Sequence, residues 1–304
     1  MAAAIAPVPA KVVVLALTTG GTVMRTEHLA ECPDLGPACA TNAPPSPYNH
    51  VQRIVALDTT IDAQLGILSW LSLAATVPYR VVVTRIRYTD PAGREYVPDP
   101  PDTHHRNETI TGIADPTLAV LMGRAFGRFG FSIRVGAMLP LGKTLDEDPY
   151  QAGREGRAHE HIQLGTGVLR PIVGSAMGVD LGAIGVDGWF LGTGAFGTNG
   201  IGYRPGQRVA GGARVTSALG LRTFRFGLGA ELSHESAETW QGIVGDDGNR
   251  GRTDVLAVAT ARWSPIAALS LFGAVRLPLV THVVGAQLSY PAYVQLGIAT
   301  AFSR

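Results

Sequence analysis

Lysine is almost missing from this chain, with only Lys11 and Lys143 among 25 basic residues. Charge of one sign is missing too. The 25 Lys and Arg stand against 24 Asp and Glu, for a net +1 at neutral pH. A nucleic-acid-binding surface needs a basic surplus, so no nucleic-acid partner is expected. Cysteine is scarce. Cys32 and Cys39 form no zinc-ligand pattern, and neither a metal nor a cofactor is expected. Separated by Pro33 and Gly36, the two could close a small disulfide in an oxidising compartment or stand as unpaired thiols. No run of 18 apolar residues occurs, which excludes a membrane-spanning helix.

Hydrophobic residues nevertheless make up 46% of the chain, too many for disorder. Glycine is abundant, 38 of 304 residues, against roughly 7% in ordinary proteins. It has no three-residue period, and it costs stability in common helices and strands. A closed barrel tolerates it, because neighbouring strands pair the backbone all round.

From about residue 51 the apolar pattern has a period of two. Phe224, Phe226, Leu228, Ala230 and Leu232 share one face, and Arg225, Gly227, Gly229, Glu231 and Ser233 the other. Phe131 to Leu139 and Tyr293 to Phe302 alternate in the same way. Eleven strands are expected, over 52–66, 69–86, 114–125, 129–142, 168–181, 184–198, 206–219, 223–234, 252–265, 268–280 and 289–303. Bacterial single-chain barrels have even strand counts, so a twelfth is expected upstream of residue 52. Short turns alternate with long polar loops, the longest at 87–113, 143–163 and 235–252. That alternation is the outer-membrane pattern, whereas a soluble sandwich mixes loop lengths at both ends. The expected fold is an all-β, antiparallel transmembrane β-barrel of about 12 strands, within 10–14.

At the N-terminus, Lys11 precedes the apolar run Val12 to Leu17, which reads as a degenerate export signal over residues 1–30. Residues 31–50 then form an N-terminal segment, periplasmic or plugging the lumen, and 51–304 the barrel. Trp70, Tyr88, Tyr203, Trp240, Trp263 and Tyr290 fall near strand ends, where interfacial girdle residues belong.

In lipid, the apolar face of each strand points outward and the polar face into the lumen. This places Asp58, Asp62, Arg134, Arg170, Asp180, Arg214, Arg225, Glu231 and Arg276 inside as pore-lining candidates. An arginine at the lipid midplane would cost roughly 2–4 kcal/mol. These charges either pair across strands to hold the barrel, or Arg134, Arg214, Arg225 and Arg276 set the field felt by a permeating solute.

Several segments go beyond generic barrel character. Thr111-Gly112-Ile113-Ala114-Asp115-Pro116-Thr117-Leu118 resembles the GxGDxxL entry into a strand in the outer-membrane channel and transporter family named for the meta-pathway of phenol degradation. Pro140-Leu141-Gly142-Lys143 resembles that family's strand exit. Leu164-Gly165-Thr166-Gly167, followed by Pro171-Ile172-Val173-Gly174, resembles its LGTGxxDPxxG segment. Leu65-Gly66 through Val77-Pro78-Tyr79-Arg80 is similar to its first hairpin. Arg170 replaces the usual acidic residue before Pro171, and Ala114 a usual glycine. The resemblance implies a barrel of about a dozen strands in the outer membrane, with lipid and small hydrophobic or aromatic solutes as partners. It carries no catalytic residues.

Other constellations point elsewhere less strongly. His159 and His161 lie two apart, so an extended chain would put them on one face, where they could share a transition metal or simply face solvent. Ser233, His234 and Glu231 suggest a hydrolase trio, but Ser233 and His234 point to opposite faces. Asp246-Asp247-Gly248-Asn249 offers calcium ligands, but it is also ordinary turn chemistry. The expected function is therefore passive uptake through a pore rather than catalysis. The alternatives are a structural or surface-exposed barrel with a closed lumen and, less favoured, a membrane-embedded hydrolase.

Overall fold

The computed structural model describes residues 7–28, 48–99, 105–218, 223–245, 249–285 and 289–303. Among them lie strands β1 (Val12–His28), β2 (Asn49–Leu68), β3 (Leu71–Thr89), β4 (Glu108–Ile113), β5 (Thr117–Phe126), β6 (Phe129–Met138), β7 (Arg170–Asp180) and β8 (Ile184–Thr193). They continue as β9 (Tyr203–Arg204), β10 (Arg208–Ser217), β11 (Phe224–Ser236), β12 (Thr239–Trp240), β13 (Asn249–Ile266), β14 (Leu269–Gly285) and β15 (Tyr293–Ser303). One helix, α1 (Pro149–Arg154), lies between β6 and β7.

The sheet is antiparallel and closes on itself. β1 pairs with β2 on one side and with β15 on the other, Val12 standing opposite Ser303. β4 and β5 occupy one lane: β4 pairs with Tyr79–Thr84 of β3, and β5 with Leu71–Thr76 below it. Counting that lane once, the barrel has twelve strands. The two-residue strands β9 and β12 form a separate ribbon.

Period-two alternation builds this wall directly. Outward positions carry Leu57, Ile61, Val77, Leu118, Val173, Phe190 and Val294, all exposed to the surroundings. Leu228 is 72% exposed and Leu296 65%. Phe224 stacks outside on Phe226 and Trp263, at 6.1 and 5.8 Å between ring centroids. A soluble protein would bury such a belt, whereas acyl chains solvate it.

The two ends of the barrel differ. Short turns link β2 to β3, β5 to β6, β7 to β8 and β13 to β14 at one end, where β1 also begins and β15 ends. Phe126 pairs with Phe129 across Gly127-Arg128, and Gly127 adopts φ +58°, a value that side chains disfavour. Long connections gather at the opposite end, the external one in this architecture. The wall is also lopsided. β2 and β3 run 20 and 19 residues, whereas β5 and β6 have 10 each. Ten tilted residues rise about 25 Å, the height of an outer-membrane apolar band, so the longer strands project beyond it.

Two expectations change. The export leader over residues 1–30 is corrected: Val12–His28 is the barrel's first strand, hydrogen-bonded on both sides. The apolar run misleads because Leu15 and Leu17 face lipid while Val14, Ala16 and Thr18 face the lumen, an alternation hidden among valines. β1 is also the expected twelfth strand, so the barrel starts at Val12 rather than 51. Ahead of it, Val8 is buried, and its carbonyl accepts from Ser72 Oγ at 3.3 Å. The segment crosses the inner mouth at Gly66, where a Cβ would lie 1.9 Å from the Pro9 carbonyl oxygen. The second correction is β4, which lies inside what reads as the 87–113 loop. Cys32, Cys39 and most of the 31–50 segment lie outside the described residues.

Candidate functional site in the barrel lumen

Inside the wall lies a cavity of about 430 Å³. Small side chains on the inward rows of several strands keep it open, among them Ala16, Ala74, Ala274 and Ala299. Gly227, between Arg225 and Gly229 on β11, adds room: a Cβ there would meet Thr260 Oγ1 at 2.5 Å and Arg214 Cδ at 2.9 Å. Trp189 and Phe272 give the cavity aromatic surface.

Its charge comes from five arginines (Arg134, Arg214, Arg225, Arg262 and Arg276) and three carboxylates (Asp62, Asp187 and Glu231). The register explains which of them pair. Asp187 stands directly opposite Arg214, which grips it through Nε and Nη2 at 2.9–3.1 Å. Arg276 reaches over β13 to Glu231 at 2.7 Å, and also donates to Gln295 Oε1 at 3.2 Å. Arg225 stands directly opposite Arg262. Like charges in that position repel, at a cost of roughly 0.2–1 kcal/mol. Among the described residues, neither has a carboxylate within ion-pair distance.

Six of the nine candidates from the alternation line this cavity: Asp62, Arg134, Arg214, Arg225, Glu231 and Arg276. Asp58 faces inward higher up, paired at 2.7 Å with Arg80 directly across the ladder. Asp180 lies at the short-turn end, accepting from the Gly182 N–H at 2.7 Å, beside a second recess of about 290 Å³. Arg170 sits at the external end of β7 and ties three strands' ends together through Gly194 O, Thr193 Oγ1 and Gly206 O. Asp187 and Arg262, absent from those nine, were accessible to the same reading, since each occupies the polar phase of its own strand.

The external mouth is organised by the motif segments. Asp115 is buried; its Oδ1 accepts from Gly142 N at 3.0 Å, and its Oδ2 from Thr166 N and Oγ1 at 2.8 and 2.6 Å. Gly142 and Gly165 touch so closely that a Cβ on either would lie 2.5–2.7 Å from the other's backbone. Asn199 Nδ2 donates to Thr166 O at 3.1 Å, binding in the next loop. The motifs therefore form one clasp that anchors the long loops to the short wall.

Above the clasp the loops fold inward. The His105 ring lies 4.3 Å from that of buried, inward-facing His50, and Tyr88 donates its hydroxyl to His105 O. Glu160 is pushed up to about 7 by burial and the neighbouring Glu108 carboxyl, with Arg106 3.8 Å away acting in the opposite direction. Burial, with His159 and His105 nearby, holds His161 down at about 4. Tyr203 and Trp240, expected in the interfacial girdle, are instead buried here. Their rings lie 4.6 Å apart, tilted by 46°, and share the Glu238 carboxylate. Burial raises the pKa of both Tyr203 and Glu238. Trp70 and Trp263 remain exposed.

His159 and His161 do come together, 5.0 Å between rings, but no set of three His, Cys, Asp or Glu gathers for a metal among the described residues. His234 Nδ1 bonds Thr253 Oγ1 at 2.9 Å. Of the acidic turn, residues 246–248 lie outside the described residues.

No family model matches the chain. No curated protein sequence matches it either. Among solved structures, it is similar to the COG4313 outer membrane channel from Pseudomonas putida F1, with TM-score 0.58, 12% identity and 99% of each chain covered. Two looser likenesses are the CymD monoaromatic hydrocarbon channel, with TM-score 0.43, 6% identity and 97% and 90% of the two chains covered, and the NanC porin, with TM-score 0.42, 7% identity and 93% and 98% covered. The fold is that of outer-membrane β-barrels.

Proposed function

We propose that the chain is an outer-membrane channel for passive entry of small solutes, chiefly single-ring aromatic molecules. The observation that carries this reading is the lumen cavity of about 430 Å³ lined by Trp189, Phe272 and the arginines. An apolar cavity of about 150 Å³ already holds benzene, so volume does not exclude such solutes. The opposed Arg225 and Arg262 favour solutes carrying a carboxylate, since guanidinium binds carboxylates in a fork. The motif resemblance to the phenol meta-pathway channel family supports the same reading.

A second reading, a barrel closed by its own loops, draws on the inward fold of the loop layer around His50 and His105. Planar-bilayer recording of the refolded full chain separates the two. Discrete conductance steps, together with benzoate flux into liposomes faster than acetate flux, are expected. A correctly folded barrel that never conducts would leave only the closed reading.

A further inference from the structure

On the outer face of the tall wall, the residues of β1, β2 and β3 align in rungs of three. Starting near the short-turn end, six successive rungs run from Val13–Leu65–Leu73 through Leu17–Ile61–Val77 to Val23–Val55–Val83. None of these positions is charged. Thr19 and Thr59, the middle rung's hydroxyls, bond one another at 3.1 Å. Each rung adds about 5 Å of height on tilted strands, so the six span about 25 Å, the apolar band of an outer-membrane barrel.

The seventh rung is Arg25–Arg53–Arg85, three arginines side by side on neighbouring strands and all exposed. Arg87 is exposed on the rung above, which also holds Val51 and Glu27. Arg85 donates to the carbonyls of Thr84 and Glu108, at 2.8 and 3.3 Å, and no carboxylate pairs with Arg53, Arg85 or Arg87 among the described residues. Adjacent like charges destabilise a ladder unless an anion sits between them. Strands lie about 4.8 Å apart, so the row is about 10 Å wide, room for more than one phosphate. Its height is the first level beyond the acyl chains at the external end.

We propose that Arg25, Arg53, Arg85 and Arg87 form a binding site for the phosphate groups of an anionic lipid in the external leaflet. Guanidinium forks hold the phosphates, and the valine rung below holds the acyl chains. The site lies on the opposite side of the wall from the lumen and stands independently of the channel reading.

Native mass spectrometry of the detergent-purified full chain tests it, with diphosphoryl lipid A and phosphatidylcholine as separate probes. Lipid A adducts are expected to survive where phosphatidylcholine adducts do not. Substituting R53Q, R85Q and R87Q together should lower lipid A retention at least about tenfold, given the strength of charge-assisted hydrogen bonds. The R53K/R85K/R87K protein should retain part of it, and the lumen variant Arg225→Gln all of it. A gel-mobility shift on heating verifies folding. Should the glutamine variant not fold, the two lipids compared on the native chain still decide. Equal retention of both lipids, or unchanged retention in a folded glutamine variant, overturns the proposal. Displacement of lipid A by millimolar inorganic phosphate overturns the assignment to a lipid.

Discussion

Asp115 and Arg225 are both charged side chains inside one barrel, yet their surroundings are opposite. Asp115 is buried, and three donors saturate its carboxylate. Arg225 opens onto the lumen, opposite another arginine, with no carboxylate paired to it among the described residues. Parts of the loop layer also satisfy their charges. Asp148 caps α1 by accepting from Tyr150 and Gln151 N–H, and Arg157 holds Glu147 and Glu155 at 2.7–2.8 Å. The lumen mixes both kinds, with Arg214–Asp187 and Arg276–Glu231 closed and Arg225, Arg262 left open. Satisfied charges fix a shape, whereas unsatisfied ones remain available to a solute. The difference distinguishes scaffold from site within the same set of residue types.

The strongest way to break the comparison is at the clasp. Replacing Asp115 by Ala strands the N–H groups of Gly142 and Thr166 and the Thr166 hydroxyl. An orphaned buried group costs about 1–3 kcal/mol, and these three are part-buried, so a loss toward the low end of their sum, about 3–5 kcal/mol, is expected. Thermal unfolding and limited proteolysis across 139–169 measure it. The same proteolysis pattern should be unchanged in Arg225→Gln, and a loosened loop layer there would collapse the distinction.

The lumen pair gives a smaller effect of a different kind. Arg225→Gln with Arg262→Gln should lower the anion-to-cation permeability ratio about three- to fivefold, the effect of about 1 kcal/mol of Coulomb energy in a wet pore. The reversal potential across a salt gradient reads this ratio. Stability should stay level or rise slightly, because a like-charge repulsion is removed.

The smallest expected effect is a pH response confined to the loops. Glu160 has its carboxyl raised from 4.5 to about 7 by burial and by Glu108. A raised carboxyl contributes stability in full below 4.5, and that contribution is lost as pH rises through about 7. Hydrogen exchange over 158–163, corrected for the intrinsic rate, should therefore speed up as pH rises from about 4.5 to about 7 and level off above. Glu160→Gln should flatten that rise. His161, held near 4, acts the other way, its contribution lost as pH falls from 6.5 through about 4. A rise equally steep in the glutamine variant would show that another group controls the loops.

Much of the wall was legible because lipid imposes a strict rule. A slip of one residue exchanges the two faces, so each strand's phase has to be written into its side chains. Phe224, Phe226 and Leu228 show this on the outside, as do the six candidate charges that line the cavity on the inside. β1 was not legible in the same way. A strand that opens on the unbroken apolar run Val12 to Leu17 has no visible phase there, and Lys11 ahead of that run imitates an export signal. β4 was hidden because it shares a lane with β5 and has only six residues. Tyr203 and Trp240 were misplaced because their burial depends on loops folding over them, which spacing along the chain does not encode.

By itself the sequence determined the architecture: an antiparallel closed barrel, apolar outside and charged within, with short turns at one end and long loops at the other. It did so because period-two alternation is a local property, set residue by residue. Only the tertiary structure decided which charges meet. Arg214 faces Asp187 and Arg225 faces Arg262 through the register between strands, and Asp115 finds Thr166 across 51 residues. Pairing partners are fixed by closure of the whole sheet, and no single strand contains that information.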